Sequence, residues 1–179
     1  MYIKLLFLLT FLSTGMQAQD VKWRVDTENT FIQYEGKHLL HEWNGINKKI
    51  NGIAIQNQKS NQINKIALLL NVKDFDSNNS GRDAHALEVL EALRYPEIKF
   101  FADDIQFEGE LVKFSGTLEF HGVTVIKKIQ SRFEINENIL TFNGNFEIVP
   151  SDFGIELPSF LTVKIKDLVQ ISFQIVFVK

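Results

Sequence analysis

Apolar and polar residues alternate with a period of two through most of this chain, which restricts it to a β architecture whose sheet buries one face. The last segment shows the pattern best. Val169, Ile171, Phe173, Ile175 and Phe177 fall on one face, and Leu168, Gln170, Ser172 and Gln174 on the other. It recurs in Ile66, Leu68, Leu70 and Val72, in Val112, Phe114, Gly116, Leu118 and Phe120, and in Leu140, Phe142, Gly144, Phe146 and Ile148. Strands are predicted over about 30–36, 48–56, 63–73, 97–107, 110–120, 123–135, 138–149 and 166–178. Eight is a count at which an antiparallel sheet closes into a barrel.

Turn chemistry supports antiparallel connections. His121-Gly122 separates two alternating segments, and Gly122 can take the positive φ of a tight two-residue turn. Asn136-Glu137-Asn138 offers asparagine for the same purpose. One helix interrupts the strands. From Ser80 onward, Ala86, Leu87, Val89, Leu90 and Leu93 share a broad apolar face at helical spacing, while His85, Glu88 and Glu91 look elsewhere. Pro96 then leads into a strand. A single helix among so many strands argues against a doubly wound α/β sheet, which needs a helix between successive parallel strands. An antiparallel barrel or a strongly curved sandwich satisfies the pattern.

The N-terminus reads as an export signal. Lys4 precedes the uncharged run Leu5–Leu12, and small and polar residues end at Ala18. Cleavage after Ala18 is predicted, leaving residues 19–179 as one exported domain, periplasmic or secreted. The sequence contains no cysteine, so neither a lipid-modified N-terminal cysteine nor a disulfide framework is available. Loss of Lys4 from the 19 basic residues, against 22 acidic ones, leaves a formal charge of −4. That balance excludes the basic stripe that nucleic acid requires.

Fourteen of the 16 phenylalanines follow Ala18. Phe114, Phe120, Phe142, Phe146, Phe153, Phe173 and Phe177 take inward-type positions, and an eight-stranded interior is either just filled by such side chains or holds one ligand. Gly116 and Gly144, also at inward positions, either leave space beside the rings or mark bends and bulges.

The polar residues carry competing readings. Ser80-Gly81-Arg82-Asp83 fits a capping box with Ser80 as acceptor for the first free amides. Alternatively, Arg82 and His85 face a tunnel mouth and bind an anionic or carbonyl head group, which suits a guanidinium fork. His38, His41, His85 and His121 raise a metal site, but residues three apart on a strand point to opposite faces, and no metal is expected. No Gly-x-Ser-x-Gly elbow occurs, and no cysteine can serve as nucleophile. Glu88 and Glu91 lie on a solvated helix face. No catalytic residue is assigned, and the chain is expected not to be an enzyme.

Seven elements occur in order: Lys37-His38, Gly52, Gly81-Arg82-Asp83-Ala84-His85, Tyr95-Pro96-Glu97-Ile98-Lys99-Phe100, Gly116 to Thr124, Asp152-Phe153-Gly154-Ile155, and the closing segment from Asp167. Together they resemble the YceI-like family of secreted lipid-binding proteins. The resemblance implies an extended, lipocalin-like antiparallel β-barrel with an elongated apolar tunnel; with the eight strands and one short amphipathic helix read above, the expected fold is an all-β, eight-stranded antiparallel barrel. It also implies a ligand, a polyisoprenoid chain, an isoprenoid quinone or a fatty-acid-like amphiphile. Two departures bear on the head group more than on the fold. Ser151 stands where an arginine is common, and the run from His38 through His41 to Trp43 is unlike the usual pattern.

Inward position and resemblance together nominate Leu90, Phe114, Leu118, Phe120, Phe142, Phe146, Ile171, Phe173 and Ile175 as tunnel-lining, lipid-binding residues, with Arg82 and His85 at the head group. No cofactor is expected apart from the bound lipid. A transient membrane contact and a homodimer are compatible with such a carrier. Two rival readings remain: a metal-dependent hydrolase built on His38, His85 and His121, and an envelope stress or interaction protein whose barrel is dry.

Overall fold

The computed structural model describes residues 20–38, 41–160, 163–164 and 166–179; the leader predicted over residues 1–18 lies outside them. The strands are β1 (Val21–Val25), β2 (Phe31–His38), β3 (His41–Asn47), β4 (Ile50–Gln56), β5 (Ile63–Asn71), β6 (Glu97–Glu108), β7 (Leu111–Phe120), β8 (Val123–Asn136), β9 (Ile139–Ile148), β10 (Ser159–Phe160), β11 (Val163–Lys164) and β12 (Val169–Val178). One α-helix, α1 (Ser80–Val89), and two 3-10 turns, Val72–Asp74 and Pro150–Phe153, complete the described elements.

Strands β1, β4, β5, β6, β7, β8, β9 and β12 pair in that order, and β12 returns to β1, so eight antiparallel strands close a barrel. The β2–β3 hairpin extends the wall beyond the closed ring. Residues Gln170–Gln174 of β12 pair with β2, while Phe177 and Val178 pair with β1.

Alternation becomes burial along each strand. On β7, Val112, Phe114, Gly116, Leu118 and Phe120 are buried, while Lys113 and Thr117 are exposed. Two apolar clusters occupy the interior. The lower one closes the base with Trp23, Val112, Leu140, Phe142 and Phe177, and Trp23 Nε1 donates to Gln56 Oε1 at 3.1 Å. The upper one joins Leu118, Phe120, Ile148, Phe153, Ile155 and Ile171, with Leu87, Val89 and Leu90 of α1 packed against it.

Several expectations need correction. The predicted first strand is β2, which continues the wall; the eighth place in the ring belongs to β1, which was not predicted, and β3 was also missed. Strand β6 carries a bulge between Ala102 and Asp104, which moves the inward face from Ile98, Phe100 and Ala102 to Ile105 and Phe107. The two glycines do not leave space. A Cβ on Gly116 would come within 2.4 Å of the Phe101 carbonyl oxygen beside that bulge, and one on Gly144 within 2.7 Å of the Phe173 ring. Large side chains from neighbouring strands already lie across both sites.

His121 and Gly122 form the expected tight turn, with φ of 51° and 74°. At the other predicted turn the left-handed residue is Glu137 (φ 42°), not an asparagine. The helix cap is displaced too. Asn79, not Ser80, is the N-cap, and its side chain accepts from Arg82 N at 3.0 Å. At the other end, Glu91 adopts φ 43°, Glu91 N donates to Glu88 O and Ala92 N donates to Leu87 O, a Schellman closure formed without glycine. The helix therefore ends before Leu93, which is fully exposed instead of sharing the apolar face.

Trp23 is completely buried and hydrogen-bonded at the base. Trp23→Ala is expected to cost about 3–5 kcal/mol, as large aromatic truncations in cores do. An unfolding free energy within about 0.5 kcal/mol of the parent, from urea denaturation by linear extrapolation, would show that the base does not hold the barrel.

Candidate functional site

Between the two apolar clusters and under α1 lies a cavity of about 830 Å³, at the upper end of the range typical of small-molecule sites. Its walls are the inner faces of β5–β9 and β12, Tyr34 of β2, Trp43 of β3 and the inward side of α1. A barrel packed solid by its own side chains is therefore not what this sequence makes. Phe114, Leu118, Phe120, Phe142, Phe146, Ile171, Phe173 and Ile175 all border the cavity from the strands, and Leu90 borders it from the helix. They line it because period two on the strands and the helical period on α1 point these positions into the same space.

Aromatic edges shape the wall. Phe114 and Phe142 meet edge-on at 5.4 Å, and Phe146 and Phe173 are tilted against each other at 6.2 Å between centroids. Phe153 and Phe177, also predicted to point inward, are 2 % and 0 % exposed, with Phe153 packed against Phe120. Phe177 reaches the cavity floor, whereas Phe153 sits behind its wall.

The polar lining is concentrated where α1 begins. Lys73, Asn79, Arg82, Asp83 and His85 border the cavity there. Ser77, which is buried, organises this end: Arg82 Nε donates to Ser77 Oγ at 2.8 Å and Arg82 Nη2 donates to Ser77 O at 2.7 Å. The Asp83 carboxylate accepts from both the amide and the hydroxyl of Ser77. Arg82 and Asp83 are thus fixed through a shared serine rather than through a direct ion pair. Ser77 was not legible as a site residue, because one serine in a run of Asp, Ser and Asn looks like any turn.

His85 differs from Arg82 in its setting. Its side chain is 62 % exposed and its Nδ1 lies 3.6 Å from Glu88. Tyr34, not anticipated as a polar residue of the site, borders the cavity with its ring T-shaped against Phe75 at 5.6 Å. Burial pushes its phenol pKa up; the Asp83 charge adds to this and Arg82 opposes it.

The two described histidine side chains, His85 and His121, do not gather. His121 Nδ1 lies 3.0 Å from the Phe153 carbonyl oxygen, its ring packs on Tyr95, and it does not border the cavity, whereas His85 does. The side chains of His38 and His41 lie outside the described residues. Among the described residues no three His, Asp or Glu side chains are placed to hold a metal ion. The two departures from the family pattern are separate features: Ser151 bonds Asp167 through its amide and hydroxyl, and Trp43 lies across Gly36 at the cavity wall.

The family model of the YceI-like domain matches residues 23–177. This chain belongs to the YceI-like family. The protein YceI of Salmonella newport is 26 % identical over 122 residues, a match that takes in 65 % of this chain and 64 % of the relative's length. Among solved structures, BcnA of Burkholderia cenocepacia aligns with a TM-score of 0.76 at 21 % identity, over 85 % of this chain and 98 % of BcnA. A polyisoprenoid binding domain from Saccharophagus degradans aligns with a TM-score of 0.69 at 14 % identity, over 87 % and 97 % of the two chains. At these identities the two structures establish the YceI-like barrel as the fold.

Asn79 holds the start of the helix that carries Arg82 and Asp83 in this YceI-like chain. Asn79→Ala is expected to lower stability by about 1 kcal/mol, the usual value of an N-cap. Amide hydrogen exchange would show faster exchange at Arg82 N; unchanged protection there would remove the cap from the account.

Proposed function

We propose that this chain is a non-catalytic carrier that holds the apolar tail of a long amphiphile, a polyisoprenoid, an isoprenoid quinone or a fatty-acid-like lipid, inside the barrel. The observation that carries this reading is the cavity of about 830 Å³ with its apolar wall, in an architecture whose interior side chains can otherwise fill. Membership of the YceI-like family and the similarity to a polyisoprenoid binding domain support it.

Burial of the tail supplies the affinity. Each CH₂ moved from water into the cavity contributes about 0.8 kcal/mol, so a dozen give on the order of 10 kcal/mol before the cost of ordering the chain is taken off. Leu90, Phe114, Leu118, Phe120, Phe142, Phe146, Ile171, Phe173 and Ile175 contact the tail, and the polar end rests near Arg82 and His85. Selectivity for tail length follows from the cavity's length. Such a ligand is nearly insoluble outside a bilayer, so the carrier serves an aqueous compartment, the periplasm or the exterior, and exchanges lipid by transient membrane contact.

Native mass spectrometry of the purified protein, followed by organic extraction, tests the reading. A retained lipid is expected, and Leu90→Trp is expected to lower retention at least tenfold with an unchanged far-UV spectrum, because the indole takes space from the tail. Protein that carries no lipid and takes up none from vesicles overturns the carrier. Stoichiometric metal in its place would favour hydrolytic chemistry.

A further inference from the structure

The upper end of the cavity contains more built polar structure than an apolar tail needs. Tyr34 is held from two sides: Phe75 meets its ring edge-on at 5.6 Å, and a Cβ on Gly45 would come 2.4 Å from that ring and 2.9 Å from its oxygen. The ring and its hydroxyl thus lie over Gly45 of the hairpin, and the residue borders the cavity. No hydrogen bond ties it to another described residue. Because burial pushes its pKa up, it remains a neutral donor at physiological pH.

Arg82 is equally fixed. A guanidinium has five N–H donors, and Ser77 takes two of those of Arg82. Three remain for a ligand, on a side chain that has already lost its rotamer freedom to a buried serine. Asp83 is committed to the same serine. Among the described residues, the charged side chains on the cavity wall are Lys73, Arg82 and Asp83, with titratable His85 exposed and beside Glu88. The fixed charges amount to about one net positive. One phosphate monoester already carries about −1.5 to −2 at neutral pH, and a diphosphate more, so either would leave uncompensated negative charge against an apolar wall. A carboxylate or a carbonyl oxygen, by contrast, accepts from a guanidinium fork and a phenol together without exceeding that charge.

We propose that Tyr34 and Arg82 form a head-group site at the upper end of the cavity and select an amphiphile ending in one planar oxygen acceptor, a carboxylate or a carbonyl, over a diphosphate. Ser77 is the positioning residue, acting through Arg82. The inference rests on the carrier reading, since without a tail in the cavity there is no head to select.

Three probes with one tail separate the two claims: geranylgeranoic acid, geranylgeraniol and geranylgeranyl diphosphate, titrated calorimetrically into the purified protein and into Tyr34→Phe and Arg82→Gln. The acid is expected to bind about tenfold more tightly than the alcohol, the increment of a charge-assisted hydrogen bond, and the diphosphate no more tightly than the alcohol. Each variant is expected to weaken the acid more than the alcohol and so to bring the acid-to-alcohol ratio within about twofold. Tyr34→Phe keeps the ring and its packing, so it decides the matter if Arg82→Gln disturbs α1. A diphosphate that binds most tightly, or a ratio that survives in folded Tyr34→Phe, overturns the head-group site. Equal binding of all three leaves the tail site standing and removes head selection, whereas no binding of any removes the carrier reading itself.

Discussion

The seam along the free edge of β12 is the constraint on which the rest of this barrel depends. A closed barrel leaves no unpaired strand edge, yet here one edge of β12 must serve two partners, β2 over its first half and β1 at its end. Between them the chain turns away through residues 26–30, which would strand the peptide groups of Val176 inside the wall. Thr30 replaces the missing strand. Its Oγ1 accepts from Val176 N at 2.9 Å and donates to Val176 O at 3.3 Å, while Asp26 N reaches the same carbonyl at 2.8 Å. Thr30 is 1 % exposed, so these bonds form where an unpaired amide would cost most.

That repair separates the two ends of the molecule. Below it, β1 and β4 close the ring around Trp23. Above it, the β2–β3 hairpin continues the wall and is joined to the region after β5 by the paired backbone bonds of Ile46 and Asp76. Asn47, fully buried, fixes the same junction by donating to Asn71 O and accepting from Lys49 N. The upper end is therefore bounded by the hairpin, whose outer strand β3 is bridged to that region at Ile46 and Asp76. Helix α1 spans this end, and none of its residues is fully buried. It acts as a partial cover: its apolar side adds Leu87, Val89 and Leu90 to the wall, and its first turn carries the polar residues.

Most of the barrel was legible because period two records which face each strand buries, and seven of the predicted segments are ring strands. What stayed hidden was set by contacts distant in sequence. Strand β1 is five residues long, and its Val21, Trp23 and Val25 alternate too briefly to stand out. In β3, Asn44, Gly45 and Asn47 read as turn residues, yet Gly45 is there because Tyr34 lies across it and Asn47 because it bonds Asn71. The helix end was misplaced because Glu91 assumes the left-handed conformation usually assigned to glycine, so nothing local marked the stop before Leu93. The tunnel-lining positions were easier, since inward residues on adjacent strands must face one another. The polar end was only half visible, because Arg82 stood out by type whereas Ser77 and Tyr34 matter by position.

In the proposed carrier, the difference between tail and head follows from how each part of the cavity is made. Its apolar wall is assembled from many strands, from Ile129 alone on β8 to five side chains on β12, so dispersion contacts with a ligand are spread over the whole barrel and no single residue dominates them. The polar end instead comes from two short stretches, Tyr34 with its hairpin and Ser77 to Asp83 with its helix turn, fixed by a handful of directed bonds. Hydrophobic contact is non-directional and tolerates chemical variation in the tail, whereas a fixed donor pair discriminates by geometry and charge. A fold of this kind can therefore keep its barrel while changing what it recognises, by altering residues in the segments around β2, β3 and the start of α1.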